Sequence, residues 1–224
     1  MSLFPIFLKL AGRPCVVVGA GIIAESKIAS LLEADAHVTV VAPYALPSVA
    51  ELAAAGEVKW ERREFEDADL DGMFLAVAGT NVPEVNRAVF SGAHRRGILC
   101  NAVDDPPYCD FYFPSVVRRG DLQIAISTAG ESPALAQRLR KEINEQLPRD
   151  TGEWMQELGR LRREVMAAEP LGDERKWLLH QLASRPVCGA EACPSRVFAR
   201  EHATEQRQSV PQNAVLIGKQ GSGE

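Results

Sequence analysis

Cys15-Val16-Val17-Val18-Gly19-Ala20-Gly21-Ile22-Ile23-Ala24 runs from a β-branched stretch through a glycine turn into a helical pattern. A short apolar run bounded by a turn is the pattern of a strand buried on both faces. After the turn, Ile28, Leu31 and Leu32 recur at helical spacing through Glu33. His37-Val38-Thr39-Val40-Val41, closed by Pro43, reads as a second strand. Strand, crossover helix and strand form a βαβ unit, which imposes a parallel sheet.

The turn itself, Gly19-x-Gly21-x-x-Ala24, matches the dinucleotide fingerprint in its Ala-ending form. Gly19 is expected to make the tight turn and Gly21 to admit the pyrophosphate, while the small Ala24 lets helix and strand pack closely. The amides of Ile22 and Ile23 then fall at a helix N-terminus, where unpaired N–H groups favour an anion. The acidic ribose ligand expected about 20 positions on is missing, because the second strand ends Val41-Ala42-Pro43-Tyr44. Adenosine is therefore expected against the backbone around Pro43 and Tyr44. With no Arg there to receive a 2′-phosphate, NAD is expected rather than NADP.

Alternation continues outward. A helix is predicted from Ser48 to Ala55, strands at 58–61 and 73–78, a helix from Pro83 to Arg96 and a strand at 98–103. Strand and helix with short connections define a doubly wound α/β fold over the first ~105 residues. Residues 111–127 read instead as two strands joined by Arg119-Gly120-Asp121, an antiparallel hairpin. Ser132 as N-cap and Pro133 in the first turn predict a helix through Leu147. Further helices are expected at 152–168 and 173–183. From about Ser184, prolines and scattered polar residues suggest a mobile tail.

Bulk properties exclude several classes. Net charge is −5, so no global positive field recruits nucleic acid or an anionic membrane. No apolar run approaches the ~18 residues of a membrane span, and the start Met1 to Phe7 does not read as a signal peptide, so a cytoplasmic location is expected. The five cysteines are too few for a disulfide scaffold, and Cys188 and Cys193 lack a His at ligand spacing, so no metal site is expected.

Ligands sit beyond the strand C-termini in such sheets. Thr80 and Asn81 are candidates there for ribose or nicotinamide contacts, although a plain turn explains their types equally well. None of the four histidines falls at a strand C-terminus. Asp104 does, and a partly buried carboxylate there could serve as a base; the alternative is an ordinary turn residue. Asp105 is the weaker candidate. Arg118, Arg119, Arg138, Arg140 and Lys141 form a basic patch that suits a polycarboxylate or a solvated helix face.

Taken in order, these segments resemble the precorrin-2 dehydrogenase / sirohydrochlorin ferrochelatase family, the sirohaem synthase N-terminal module. The matching segments are Leu3-Phe4-Pro5-Ile6-Phe7, Cys15 to Gly21, Ala24-Glu25-Ser26-Lys27 and Ala78-Gly79-Thr80-Asn81 with Val85-Asn86. Asn101-Ala102-Val103-Asp104, Phe113-Pro114-Ser115 and Ser127 to Ala134 complete them. The resemblance implies NAD-dependent oxidation of precorrin-2 to sirohydrochlorin, with Fe2+ insertion into sirohydrochlorin as a second activity of some relatives. It implies Asp104 as general base and Ile22, Ile23, Pro43 and Tyr44 at the cofactor. It also implies Thr128 near the tetrapyrrole, where a serine is usual, and the basic patch makes Arg118 and Arg138 candidates for the substrate carboxylates. A homodimer is implied as well. The organisation expected is a Rossmann-type NAD-binding domain (1–112), a small β-containing dimerisation region (113–147), a helical domain (148–184) and a tail (185–224). The methyltransferase domain fused to some members is not expected here. Asp35 stands where a Gly is more usual, at a position wanting left-handed φ. A non-enzymatic NAD- or tetrapyrrole-sensing module is the alternative; the missing acidic ribose ligand counts against it.

Overall fold

The computed structural model describes residues 3–183; the expected tail, Cys188, Cys193 and His202 lie outside them. The chain divides after Phe113 into two compact units.

The first unit is β1 (Pro14–Val18), α1 (Ile22–Leu32), β2 (His37–Val41), α2 (Pro47–Ala54), β3 (Val58–Glu61), β4 (Leu75–Ala78), α3 (Pro83–Arg95) and β5 (Leu99–Ala102). Its five strands are all parallel, in the order β3-β2-β1-β4-β5. That is a doubly wound Rossmann-like sheet whose strand order reverses at β1. Successive strand residues face opposite sides, so each face has its own core. Cys15, Val17, Val40 and Val77 pack with Ala24, Ile28 and Leu31 of α1. Val16, Val18, Ala76 and Cys100 pack with Val89 and Ala93 of α3. Coverage on both faces is why these strands read as unbroken apolar runs.

The start of β4 differs from expectation. The strand predicted over 73–78 starts at Leu75, because the Met73 N–H closes a turn onto the Leu70 carbonyl at 3.2 Å. That turn follows a 3-10 segment, Asp67–Leu70, tied to α3 by Arg95 and Arg96, which pair with Asp67 at 2.8 Å each. Asp35 adopts φ 56°, the left-handed conformation expected of it.

The second unit opens with the hairpin β6 (Ser115–Arg119) and β7 (Leu122–Ile126), antiparallel as predicted. The helices α4 (Pro133–Gln146), α5 (Thr151–Ala168) and α6 (Asp173–Leu182) follow. The Ser132 hydroxyl caps α4 by accepting the Leu135 N–H at 3.3 Å. Arg119 is a structural knot. Its guanidinium donates to the Asn144 side chain at 2.9 Å and to the carbonyls of Asn144 and Leu147 at 2.8 and 3.2 Å. A Cβ on Gly152 would lie 2.8 Å from the Arg119 carbonyl, so the start of α5 rests directly on the hairpin turn.

Burial makes two thiols inert. Desolvation pushes Cys15 up to about 11 and Cys100 up to about 12. Both are 0% exposed, and reactivity needs the thiolate. Under native conditions at neutral pH neither should label with iodoacetamide; both should label fully in denaturant, as followed by peptide mass mapping.

Candidate functional site

The site grows from the β1–α1 turn. Gly19 holds φ 105°, and a Cβ there would sit 2.6 Å from the Gly79 carbonyl oxygen, closer than atoms approach. The turn after β1 therefore presses against the turn after β4. Ala24 is fully buried and would lie 3.6 Å from a Cβ on Gly79, so its small size serves this same approach. Gly21 differs. It is the N-cap of α1, no side chain caps it, and a Cβ there would meet nothing within 4 Å. The first N–H groups of α1 have no acceptor inside the helix and face an open cradle. A pyrophosphate fits such a cradle on both charge and space.

Along the strand C-termini lie two adjoining clefts of about 770 and 850 Å³, sharing Gly21, Leu46, Gly79, Thr80 and Asn81. The second is bounded by Pro43 and by Tyr44, a residue 87% exposed. Among the described residues no Lys or Arg lines it; its charged groups are Glu64 and Glu84. That lining repels a 2′-phosphate and favours NAD over NADP. Ile22 and Ile23 border the first cleft with exposed side chains.

Thr80 is already committed. Its hydroxyl donates to Asn86 Oδ1 at 2.7 Å and accepts the Val82 N–H at 3.1 Å. Asn86, buried in the first turn of α3, also accepts the Thr80 N–H and donates to the Thr80 carbonyl, both at 3.1 Å. Asn86 thus holds the turn in shape and leaves Asn81 facing the cleft. The sequence carried no sign of this beyond an Asn shortly after Pro83.

The adjacent carboxylates after β5 have different fates. Asp105 pairs with Arg87 Nε at 3.1 Å, and the Arg87 guanidinium lies over the Tyr108 ring, 5.2 Å from its centroid. Asp104 lines the first cleft, and no donor among the described residues binds its carboxylate. It was expected to be partly buried. It is exposed, because φ 61° turns the chain out past the sheet edge. Asp is among the few residues that accept this conformation. The loop beyond it is anchored by buried Asn101, whose side-chain amide donates to the Phe111 carbonyl at 2.7 Å. Asp110 accepts the Cys100 N–H at 2.9 Å.

Lys27 closes the helix-start segment Ala24-Glu25-Ser26-Lys27. It lies one turn beyond Ile23, its ammonium 4.2 Å from the centre of the Phe113 ring. Burial lowers its pKa and the Asp104 charge partly offsets this. Its four-residue spacing from Ile23 was the signal that could have found it.

Elsewhere, the Thr128 hydroxyl accepts the Ser132 N–H at 3.2 Å, ahead of α4. Arg138 pairs with Glu142 at 3.2 Å on an exposed face, and Arg118 is exposed on β6. Among the described residues no group of His, Cys, Asp and Glu could hold a metal ion, and no helix is long and apolar enough to cross a membrane.

The two fingerprint glycines should separate stability from binding. Gly19→Ala should cost about 2 kcal/mol or more in urea unfolding, through strain and the clash with Gly79. Gly21→Val should unfold near the wild-type midpoint yet lose NAD binding by at least roughly tenfold in titration calorimetry.

Comparison with known proteins agrees with this geometry. Residues 6–115 match a family model described as putative NAD(P)-binding, and residues 119–146 one described as sirohaem biosynthesis protein central. Siroheme synthase 1 of Aeromonas salmonicida is 40% identical over 189 residues, covering 84% of this chain and 40% of that protein. The siroheme synthase of Methylococcus capsulatus is 41% identical over 225 residues, covering 97% of this chain and 48% of that protein. The chain thus spans about half the length of these relatives, or less. The solved structure of SirC, a precorrin-2 dehydrogenase, superposes with a TM-score of 0.70 at 26% identity, covering 92% of this chain and all of that one. Over residues 6–115 and 119–146 the chain is thus similar to NAD(P)-binding and sirohaem biosynthesis proteins, and it shares the fold of a solved precorrin-2 dehydrogenase.

Proposed function

We propose that this chain catalyses the NAD-dependent oxidation of precorrin-2 to sirohydrochlorin. The observation that carries the reading is the division of labour between the two carboxylates. Asp105 is neutralised by Arg87, while Asp104 stays free at the mouth of the cleft beside the cofactor turn.

Bound NAD supplies the acceptor for a hydride, the hard part of the reaction. The α1 amides and the backbone near Pro43 and Tyr44 bind and orient it, with Ile22, Ile23 and Asn81 along the cleft. The oxidation releases one hydride and one proton from precorrin-2. Asp104 takes that proton on a carboxylate oxygen that no other group occupies. Thr128, Arg118 and Arg138 belong to the substrate contacts of this reading, Arg138 exchanging Glu142 for a substrate carboxylate. The same free carboxylate suits removal of pyrrole N–H protons, so Fe2+ insertion into sirohydrochlorin is the second reaction to assay.

We further propose a dimerisation region at 113–147 followed by a helical domain at 148–184. A two-stranded hairpin is marginal in water without cover, and here α4 and α5 supply part of that cover. In the single chain Leu122, Ile124 and Ile126 of β7 are only half-buried, which favours a second copy as cover. Light scattering should return twice the chain mass, and Ile124→Lys should shift it toward the monomer.

Asp104→Asn retains a residue that tolerates φ near 60° and removes the base. Under anaerobic assay with precorrin-2 and NAD it should lose about 10²-fold or more in kcat with unchanged NAD affinity. An unaltered rate would remove Asp104 from the mechanism. A well-folded wild type that binds NAD without oxidising precorrin-2 would favour the sensing module.

A further inference from the structure

Lys27 is a half-buried cation without a committed counterion. It follows Ile23, which lines the cleft, by one turn on α1, and residues four apart share a helix face. Its ammonium sits 4.2 Å from the centre of the Phe113 ring, itself packed edge-on against Phe111 with centroids 5.4 Å apart. Several other cations of this unit differ. Arg87 is taken by Asp105, Arg63 by Asp69, and Arg96 by Asp67 and Asp71. Nothing among the described residues accepts a hydrogen bond from Lys27, and the charge it feels is that of Asp104.

An ammonium has three donors, and leaving them unspent where water is scarce costs stability. The aromatic face compensates part of the charge but accepts no conventional hydrogen bond. Such a group is completed by an anion that arrives with a ligand. The cofactor's pyrophosphate has its own amides at the α1 N-terminus, a full turn away, so the unmet anion belongs to the other reactant.

Resting on the dehydrogenase reading, we propose that Lys27 is a substrate-binding residue whose ammonium takes a peripheral carboxylate of the tetrapyrrole. The Phe111–Phe113 pair fixes the direction of the lysine stem, so the macrocycle is held by one edge beside Asp104. Because that contact exists equally before and during proton removal, it contributes to KM rather than to kcat.

The test compares Lys27→Met, which keeps the stem over Phe113, with Lys27→Arg, which keeps the charge. Precorrin-2 kinetics, sirohydrochlorin binding by fluorescence quenching, NAD affinity and Tm are measured on the full chain. Lys27→Met should raise KM and the sirohydrochlorin Kd roughly tenfold, the loss of one charge-assisted contact. Its kcat, NAD affinity and Tm should stay near wild type, and Lys27→Arg should recover most of the loss. Added salt should raise KM more steeply in wild type than in Lys27→Met. An unchanged KM in a wild-type background that turns over overturns the inference alone. So does a fall in kcat at constant KM, which would make Lys27 a support for Asp104, and so does an equal loss of NAD binding or Tm. A wild type that neither oxidises precorrin-2 nor binds sirohydrochlorin overturns both this inference and the dehydrogenase reading.

Discussion

The approach of Gly19 to Gly79 is the constraint on which the rest of the site depends. Two turns, one after β1 and one after β4, meet backbone to backbone where any side chain on Gly19 would collide with a carbonyl oxygen. The ladder enforces it: the Gly19 N–H donates to Val41 at 2.9 Å and the Gly79 N–H to Val18 at 2.8 Å. With both turns pinned, α1 can start only over the strand edge, its unpaired amides facing outward. The cleft is thus a product of sheet geometry before any functional side chain is placed.

Selection between side chains happens on the next strand. β5 delivers two consecutive aspartates, and chain direction alone would not tell them apart. Arg87, from α3, takes Asp105. Asp104, in a left-handed backbone conformation, stays out of that pair, and all three residues line the first cleft. Asn101 holds the loop that follows by bonding the Phe111 carbonyl, and this loop carries Phe113 to Lys27. A buried amide therefore sets the relation between Asp104 and Lys27, the two charged groups to which the proposed reading gives a role.

How much of this could be read in the chain follows from range. Strands buried on both faces leave apolar runs, and glycine turns leave fingerprints, so the sheet, its parallel sense, the hairpin and the left-handed Asp35 were legible. Contacts formed between side chains and distant backbone leave no period. Arg95 and Arg96 reach back across the sequence to Asp67, Asn86 folds back on Thr80, and Arg119 reaches α4. Each reassigned a residue whose type alone suggested something else: Thr80 hydrogen-bonds within its own turn, and Arg119 ties its unit together. The exposure of Asp104 was hidden for a related reason, because a strand pattern says where the strand ends and not which way the next residue turns.

Charge shows the same principle at a larger scale. A chain of net charge −5 that binds an anionic cofactor and, on the reading proposed, an anionic substrate cannot rely on a diffuse positive field. It has to place positive potential locally. At the cofactor this comes from backbone N–H groups, which carry no formal charge and are absent from any composition count. On the adenosine side the formal charges are acidic, which suits a ribose with free hydroxyls and disfavours a phosphorylated one. Most arginines near the sheet are consumed by carboxylates that hold loops in place. Lys27 is left over with Arg13 and Arg62, which also rest on aromatic rings, and its position on the fingerprint helix ties the fate of the second anion to the element that binds the first.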